Sequence, residues 1–178
     1  MAKSLFQLVP PDSGNGPWVQ SVIHDFSGAD GSGPKGRPIR KGTKLFGTTS
    51  AGGDMDYGTV FQLAPRAGQG WKESVIYSFT GPDGRLPWSG MTVGPSGTLY
   101  GSTYEGGAFG KYGWGTVFSL TPPAKGQSQW TEQVLHSFND GGDGNSPAAV
   151  LVDTSGTIYG VTQYGMHHNT GSVFQLTP

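Results

Sequence analysis

One eight-residue phrase recurs four times along this chain, and its recurrence limits the folds open to the protein more than any other feature does. It reads KSLFQLVP at 3–10, GTVFQLAP at 58–65, GTVFSLTP at 115–122 and GSVFQLTP at 171–178. The four copies are spaced 55, 57 and 56 residues apart. A fixed period of this kind is typical of repeat architectures, in which each repeat is one supersecondary unit that buries its apolar surface against its neighbours.

Each copy, termed strand A, opens a repeat whose other segments always keep the same order. A Trp begins strand B, which reads WVQSVIHDF, WKESVIYSF and WTEQVLHSF in the three repeats. A glycine-rich turn with the spacing Asp-Gly-x-x-Pro follows, then strand C, and then strand D, which reads KLFGTTSAGG, TLYGSTYEGG and TIYGVTQYGM. These segments are rich in Val, Ile, Phe, Tyr and Thr and are bounded by Gly, Pro, Asp and Ser, which predicts β-strands.

The repeats place the whole chain, 1–178, in a single repeat domain. The repeats run over 3–57, 58–114 and 115–170, and 171–178 is an extra copy of strand A. A length of 178 residues suits one domain with a sizeable core. The 32 glycines and 13 prolines would indicate disorder if they were aperiodic, but here they mark the turns between strands.

Apolar residues lie on both faces of the predicted strands. In strand A of the second repeat, for example, Phe61 and Leu63 oppose Val60. A sheet that is covered on both sides needs this pattern, and the stacked four-stranded blades of a β-propeller provide it. We therefore predict an all-β fold, a β-propeller-type array of four-stranded blades. A three-fold fold of the β-trefoil type is the alternative, although it leaves the extra strand unexplained.

The composite pattern W-x-E-x-V-[LI]-[HY]-S-F, D-G-x-x-P, G-T-[LI]-Y-G-x-T-x-x-G-G and G-T-V-F-Q-L-T-P resembles the Gloeo/Verruco (GloVer) tandem repeat and runs through essentially the whole chain. The resemblance implies a β-propeller-like fold, a bacterial source and an extracellular or cell-surface location. It transfers no catalytic motif. The chain departs from the long arrays of that family because it has three repeats and lacks a leader or anchor segment.

The strand count predicts assembly. Propellers close with about four to eight blades, so three blades leave two sheet faces that need partners. We expect a homo-oligomer, with a dimer that forms six blades favoured over an open filament or surface layer built by terminal strand exchange. A piece of a longer array is a further reading of the extra strand. The residues expected to carry assembly are Leu5, Phe6, Leu8, Val173, Phe174 and Leu176.

Charge and composition exclude several classes of partner. The formal net charge is −1 and charged residues make up 13% of the chain, so there is no electrostatic case for nucleic acid. No segment approaches the roughly 20 apolar residues of a membrane span. The chain has no cysteine, which excludes disulfides and cysteine-based zinc sites.

The first repeat differs from the others at strand C, where basic residues replace apolar ones. Pro38 lies in the same segment and suits an edge strand or an irregular one. Such a cluster can bind an acidic glycan or a phosphate, or it can protect an exposed edge strand from uncontrolled pairing. The candidate anion-binding residues are Lys35, Arg37, Arg40, Lys41 and Lys44.

Aromatic residues in and near the loops are the candidates for a ligand site, because the C–H face of a sugar packs on an aromatic ring. They are Trp88, Tyr104, Tyr112, Trp114 and Tyr164. The three turn aspartates are a second candidate set, although Asp followed by Gly is also what such a turn requires. They are Asp30, Asp83 and Asp143.

Catalytic and metal sites are not expected. The chain lacks a G-x-S-x-G motif and has no cysteine nucleophile. His24 and His136 share a repeat position with Tyr77, which indicates a packing or hydrogen-bonding residue rather than a metal ligand. The adjacent residues His167 and His168 would point to opposite sides of a strand. No cofactor is expected.

The most specific function that these features predict is a non-catalytic, homo-oligomeric binding or structural module that recognises carbohydrate at the cell surface. A filament or surface-layer subunit is one alternative. A glycan-processing enzyme is the other, because the scattered carboxylates of the chain leave a catalytic pair open.

Overall fold

A computed structural model describes residues 3–12, 14–110, 112–139, 142–165 and 170–178. Within these ranges the chain forms thirteen β-strands and no α-helix, which confirms the predicted all-β class. The same part of the chain contains no helix with the length and apolar character needed to cross a membrane.

The strands follow the A–B–C–D order of the repeats. In chain order they are β1 (Lys3–Val9), β2 (Val19–Phe26), β3 (Ser32–Lys41), β4 (Lys44–Ala51), β5 (Thr59–Arg66), β6 (Gly70–Ser78), β7 (Thr92–Val93), β8 (Leu99–Thr103), β9 (Thr116–Thr121), β10 (Thr131–Ser137), β11 (Asn145–Val152), β12 (Ile158–Tyr164) and β13 (Ser172–Leu176). Strand β7 is short because a 3₁₀ turn, Pro95–Gly97, follows it closely, with Ser96 in the left-handed region at φ 57°.

The strands form four antiparallel sheets, numbered I to IV. Sheet I is β1–β2, sheet II is β3–β4–β5–β6, sheet III is β7–β8–β9–β10, and sheet IV is β11–β12–β13. Each four-stranded sheet takes strands C and D from one repeat and strands A and B from the next. Each of these sheets therefore contains residues of two successive repeats. Sheet I therefore lacks strands C and D, and sheet IV lacks strand B.

Successive sheets are joined by three apolar cores. Between sheets I and II the buried residues are Phe26, Phe61 and Leu63. Between sheets II and III they are Phe46, Val60, Phe79, Met91, Leu99, Phe118 and Leu120. Between sheets III and IV they are Val117, Phe138 and Ile158. Sheets II and III are thus covered on both faces, as the two-sided apolar pattern of the strands predicts.

An edge-to-face pair of Phe rings recurs in each of the three cores. The first ring belongs to the last residue of a strand B or to the residue directly after that strand. The second ring lies in strand A of the next sheet. The pairs are Phe26–Phe61 (5.0 Å between ring centroids), Phe79–Phe118 (5.1 Å) and Phe138–Phe174 (5.2 Å). Such pairs contribute about 0.5–1.5 kcal/mol beyond the burial of their area.

The ring in strand A also lies over a glycine of the neighbouring strand D. Gly47 is opposite Phe61 and Gly101 is opposite Phe118. A Cβ atom at Gly101 would stand 2.6 Å from Cζ of Phe118, which is too close for two carbon atoms. The aromatic-Gly dipeptide of strand D is therefore required by side-chain packing across the sheet.

A pair of hydroxyl groups lies beside each Asp-Gly turn, and in the first two turns it bonds to the backbone of the turn Asp. The Oγ1 atoms of Thr49 and Thr59 are 2.8 Å apart, and Thr59 donates to the carbonyl oxygen of Asp30 at 3.3 Å. The backbone of Gly31, at φ 126°, lies against this hydroxyl pair. A Cβ atom at Gly31 would be 2.5 Å from Oγ1 of Thr49, which is too close. The hydroxyl pair recurs as Thr103–Thr116 and Thr162–Ser172, each at 2.8 Å.

Gly101→Ala is expected to lower the free energy of unfolding by about 1–3 kcal/mol, because the added methyl group displaces the ring of Phe118 from a well-packed core. Urea unfolding measures the change. Gly142→Ala is the matched control, since a Cβ at Gly142 meets no atom within 4 Å. Equal stability changes in the two variants would contradict the packing role of Gly101.

Candidate functional site

The outward face of sheet I carries side chains that the interior repeats bury. Phe6 is 51% exposed, whereas its equivalent in sheet II, Phe61, is 1% exposed. Leu8 is likewise half exposed, and its equivalent Leu63 is fully buried. In sheet II these two positions contact the preceding sheet. The outward face of sheet I therefore corresponds to one side of an inter-sheet core.

The outward face of sheet IV corresponds to the other side. Val173 is 81% exposed, while its equivalent Val60 is 0% exposed because the following sheet covers it. Leu151, Tyr159 and Val161 are also exposed. The two outward faces are thus different surfaces, and each has a buried counterpart inside the chain.

The structure divides the six residues that the sequence predicted for assembly into two groups. Leu5, Phe174 and Leu176 are already partly buried, Leu5 against the core between sheets I and II and the other two against the core between sheets III and IV. The remaining three are the exposed residues of the two outward faces.

Three of the predicted ligand-binding aromatics come together at the turn end of the sheets. The rings of Trp88 and Tyr104 are 4.8 Å apart with an interplanar angle of 32°, and burial, followed by the nearby side chain of Tyr164, raises the pKa of Tyr104. We term Trp88, Tyr104 and Tyr164 the aromatic shelf. Trp88 and Tyr164 are exposed, and Nζ of Lys35 lies 5.2 Å from the ring centroid of Trp88.

The other two predicted aromatics have separate neighbours. The guanidinium carbon of Arg85 lies 5.2 Å from the ring centroid of Tyr112 and 4.9 Å from that of Tyr57. The carbonyl oxygen of Trp114 accepts a hydrogen bond from the backbone N–H of Ser146 at 2.7 Å, and the Trp114 ring is exposed. The sequence reasoning missed Arg85, which is the residue after the second Asp-Gly pair.

The five basic residues of the first repeat are spread along β3 and the start of β4. Nζ of Lys41 donates to the carbonyl oxygen of Gly97 at 2.7 Å, and Nζ of Lys44 donates to Oε1 of Gln62 at 3.1 Å. Nε of Arg40 bonds to a nearby backbone carbonyl oxygen at 2.9 Å. These three side chains are therefore engaged within the chain, and Lys35 is the basic residue that meets the aromatic shelf.

Strand β3 has the edge position that Pro38 suggested. It pairs with β4 on one side, and its register shifts between Lys35 and Ile39. Arg37 lies within the shifted segment and is exposed. The segment is thus both an edge and an irregular strand.

The three turn aspartates bind groups of their own repeat. Oδ2 of Asp30 lies 2.8 Å from Nε2 of His24, and Oδ1 accepts the backbone N–H of Ser27 at 2.8 Å. Burial alone would raise the pKa of Asp30, but the hydrogen bonds from Ser27 and His24 lower it. The same contacts pair Asp83 with Tyr77 and Asp143 with His136. These contacts agree with a hydrogen-bonding role for His24 and His136.

Glu73 reaches the first of these pairs from the next sheet, and the sequence reasoning missed it. The ligand atoms of His24, Asp30 and Glu73 lie within 4.8 Å of one another, and Oε1 of Glu73 is buried without a hydrogen bond. Burial raises the pKa of Glu73 to about 7, while His24 lowers it and Asp30 raises it. We term this arrangement of a strand-B His or Tyr, a turn Asp and a Glu from the next sheet an inter-sheet triad.

A second inter-sheet triad joins sheets II and III. Glu132 extends toward Tyr77 and Asp83, and burial raises the pKa of Glu132 to about 7, with Asp83 contributing. A tyrosine replaces the histidine here, so the arrangement common to both triads is a hydrogen-bonded pair with a partly buried glutamate beside it. Both glutamates follow a strand-B Trp by two positions, which is the signal that could have revealed them. His167 and His168 lie outside the described residues.

Glu73→Gln is expected to stabilise the protein at pH 8 by about 1 kcal/mol and to change little at pH 5. The pKa of Glu73 is raised from 4.5 to about 7, so the wild type loses stability as the pH rises through this range. Gln cannot ionise. The expected stabilisation of about 1 kcal/mol is well below the full linkage energy, because the half-buried carboxyl group of Glu73 is screened by solvent.

Chemical denaturation at the two pH values measures this effect. Asp54→Asn is the control, since Asp54 is an exposed carboxylate of a turn. Parallel pH profiles for the wild type and Glu73→Gln would show that the triad carries no such cost.

Comparison with known proteins places this architecture in a family. No curated protein matches the chain. A family model described as the Gloeobacter/Verrucomicrobia repeat matches residues 4–178, which include both inter-sheet triads and all of the strand-A segments except Lys3. This match confirms the resemblance carried by the repeated motifs. The chain therefore belongs to the Gloeobacter/Verrucomicrobia repeat family.

Proposed function

We propose that this protein is a non-catalytic module of propeller type whose copies assemble through the outward faces of sheets I and IV. The observation that carries this proposal is the contrast between equivalent residues. Phe6 and Val173 are 51% and 81% exposed, whereas their equivalents Phe61 and Val60 are 1% and 0% exposed. The side chains exposed at the ends are the ones that a neighbouring sheet covers elsewhere in the chain.

The two faces are unlike, so the contact between copies is head-to-tail. Such contacts produce rings if the rotation closes and filaments if it does not. Two chains of three repeats supply six blades if the partial sheets I and IV of neighbouring copies share one blade, and six is within the four to eight blades typical of propellers, so a closed dimer is favoured. Full burial of a Phe, Leu or Val side chain contributes about 1.5–3 kcal/mol, and a closed dimer forms two such interfaces.

Phe6→Ser is expected to shift a dimeric wild type toward monomer, with at least a tenfold rise in the dissociation constant from the lost apolar burial. Sedimentation over a concentration series measures it. Phe109→Ser is the matched control, because Phe109 is 50% exposed and lies outside sheets I and IV. A wild type that stays monomeric at all concentrations contradicts the proposal, as does equal dissociation of both variants.

Carbohydrate recognition is a second candidate function, and the aromatic shelf favours it. Trp88 and Tyr104 offer adjacent rings, and the ammonium group of Lys35 lies 5.2 Å from the Trp88 ring centroid. Aromatic surface suits the C–H face of a sugar, and the cation suits a carboxylate or sulfate on it. The expected ligand is an acidic polysaccharide, and a location outside the cell or on its surface would give the shelf access to such polymers.

Trp88→Ala is expected to weaken binding to a polyuronate at least tenfold, because loss of a stacking ring removes the main apolar contact. A glycan array followed by titration calorimetry measures it. Trp114→Ala is the control, since Trp114 is similarly exposed but has other neighbours. Absence of wild-type binding to both neutral and acidic glycans contradicts this second function.

A further inference from the structure

Strand B performs two tasks in sheets II and III. Trp71, the second residue of β6, and Trp130, which directly precedes β10, each pack against the core shared with the preceding sheet. The ring of Trp130 lies 5.7 Å from that of Phe46 in strand D of sheet II. Two residues further along, Glu73 or Glu132 completes an inter-sheet triad. Sheet IV has no strand B, so the core between sheets III and IV lacks both the Trp and the Glu that strand B provides in sheets II and III.

The position of the missing Trp is a groove at the outer edge of β13. The groove has a volume of about 520 Å³ and is lined by Tyr100, Leu135 and Ile158, among others. Tyr100 occupies in β8 the position that Phe46 occupies in β4, which is the ring that Trp130 contacts. The groove therefore corresponds to the Trp130 position one sheet further along the chain.

The position of the missing Glu lies beside a His–Asp pair. Nε2 of His136 is 2.9 Å from Oδ2 of Asp143, as in the pair that Glu73 completes. Among the described residues no strand B follows β13 to supply a third member. The third triad is thus incomplete within one copy.

The side chains that fit these two positions lie at the other end of the chain. Trp18 directly precedes β2 and is 61% exposed. Gln20 is exposed and lies opposite Leu8 in sheet I, just as Glu73 lies opposite Leu63 in sheet II. Strand β2 therefore presents an unpartnered Trp and an amide at the two positions where strand B of an interior sheet has its Trp and Glu.

We propose that β2 of a second copy of this chain completes sheet IV as its fourth strand, with Trp18 in the groove and Gln20 at the His136–Asp143 pair. This inference rests on the proposed assembly and specifies how the copies meet. The strand beside β2 in the completed sheet is either β13 or β1 of the second copy. These two strands have the same sequence pattern. With either of them as the third strand of the sheet, β2 becomes the fourth strand.

The chemistry of Gln20 suits a contact between copies. Its amide nitrogen donates to the Asp143 carboxylate, which can accept a second hydrogen bond beside the one from His136. An amide has no charge to desolvate, so the contact forms without the proton uptake that Glu73 and Glu132 require. Trp18 supplies a large ring in a preformed groove, which is the usual composition of an interface hot spot.

A different mode of assembly is distinguishable from this one. Sheet I could stack face to face on sheet IV as an additional sheet. In that arrangement β2 would cover the outward face of sheet IV, and the groove and His136 would remain uncovered because His136 lies on sheet III. Substitutions at Trp18 and Gln20 therefore report on edge completion.

Trp18→Ala is expected to raise the dissociation constant of the wild-type oligomer at least about 30-fold, as truncation of a hot-spot Trp does. Sedimentation over a concentration series measures it. Trp114→Ala is the matched control and is expected to leave self-association unchanged. Circular dichroism of each variant checks that the fold is kept.

Gln20→Glu provides a second test that conserves side-chain volume. In the contact, the new carboxylate faces Asp143 and His136, so its pKa is expected to follow that of Glu73, which is raised from 4.5 to about 7. Association relative to the wild type, measured in parallel, should be nearly preserved at pH 5 and weaker by about fivefold at pH 8, because solvent screening limits the effect as it does at Glu73. Gln69→Glu, which adds the same charge in an exposed turn, is the control.

The outcomes separate the inference from the function on which it rests. A monomeric wild type overturns both. An oligomeric wild type with unchanged association in Trp18→Ala and no pH effect in Gln20→Glu overturns edge completion and leaves assembly standing. If Trp18→Ala fails to fold, the pH profile of Gln20→Glu decides.

Discussion

The edge-to-face contact between a strand-B Phe and the strand-A Phe of the next sheet is the interaction on which the rest of this structure depends. Its two rings always come from different sheets, so no sheet can bury its own ring alone. The ring of strand A needs a glycine opposite it in strand D, which explains Gly47 and Gly101. The contact always joins a sheet to the next one along the chain. Among the described residues no sheet covers Phe6 on sheet I or Val173 on sheet IV, and both side chains are exposed.

Much of this fold follows from local sequence patterns. The strands, their order and their two-sided burial are visible in the alternation of apolar residues and in the turn chemistry around them. The grouping of strands into sheets is not, because it depends on which edge each strand joins. Strand D pairs across the repeat boundary with the next strand A, and buried hydroxyl pairs such as Thr49–Thr59 support this pairing. The shortness of β7 was also hidden, since its residues resemble those of a longer strand.

The candidate sites were predictable to a smaller extent, for the same reason. Trp88 and Tyr104 were identified as loop aromatics, and they meet because the start of strand C and the end of strand D lie at the same end of a sheet. Lys41 and Lys44 looked like members of one cluster, but an extended chain spreads its side chains and brings them to different partners. Glu73 has a meaning only beside His24 of the preceding sheet, and no local pattern contains that neighbour.

The offset between repeats and sheets has a consequence for how such chains can change in length. A repeat begins in the middle of one sheet and ends in the middle of the next. Duplication or loss of a whole repeat by recombination therefore restores a complete sheet at the junction and leaves both chain ends as they were. The number of sheets in such a chain can therefore change by whole units while the unpaired faces at the two ends keep the same character.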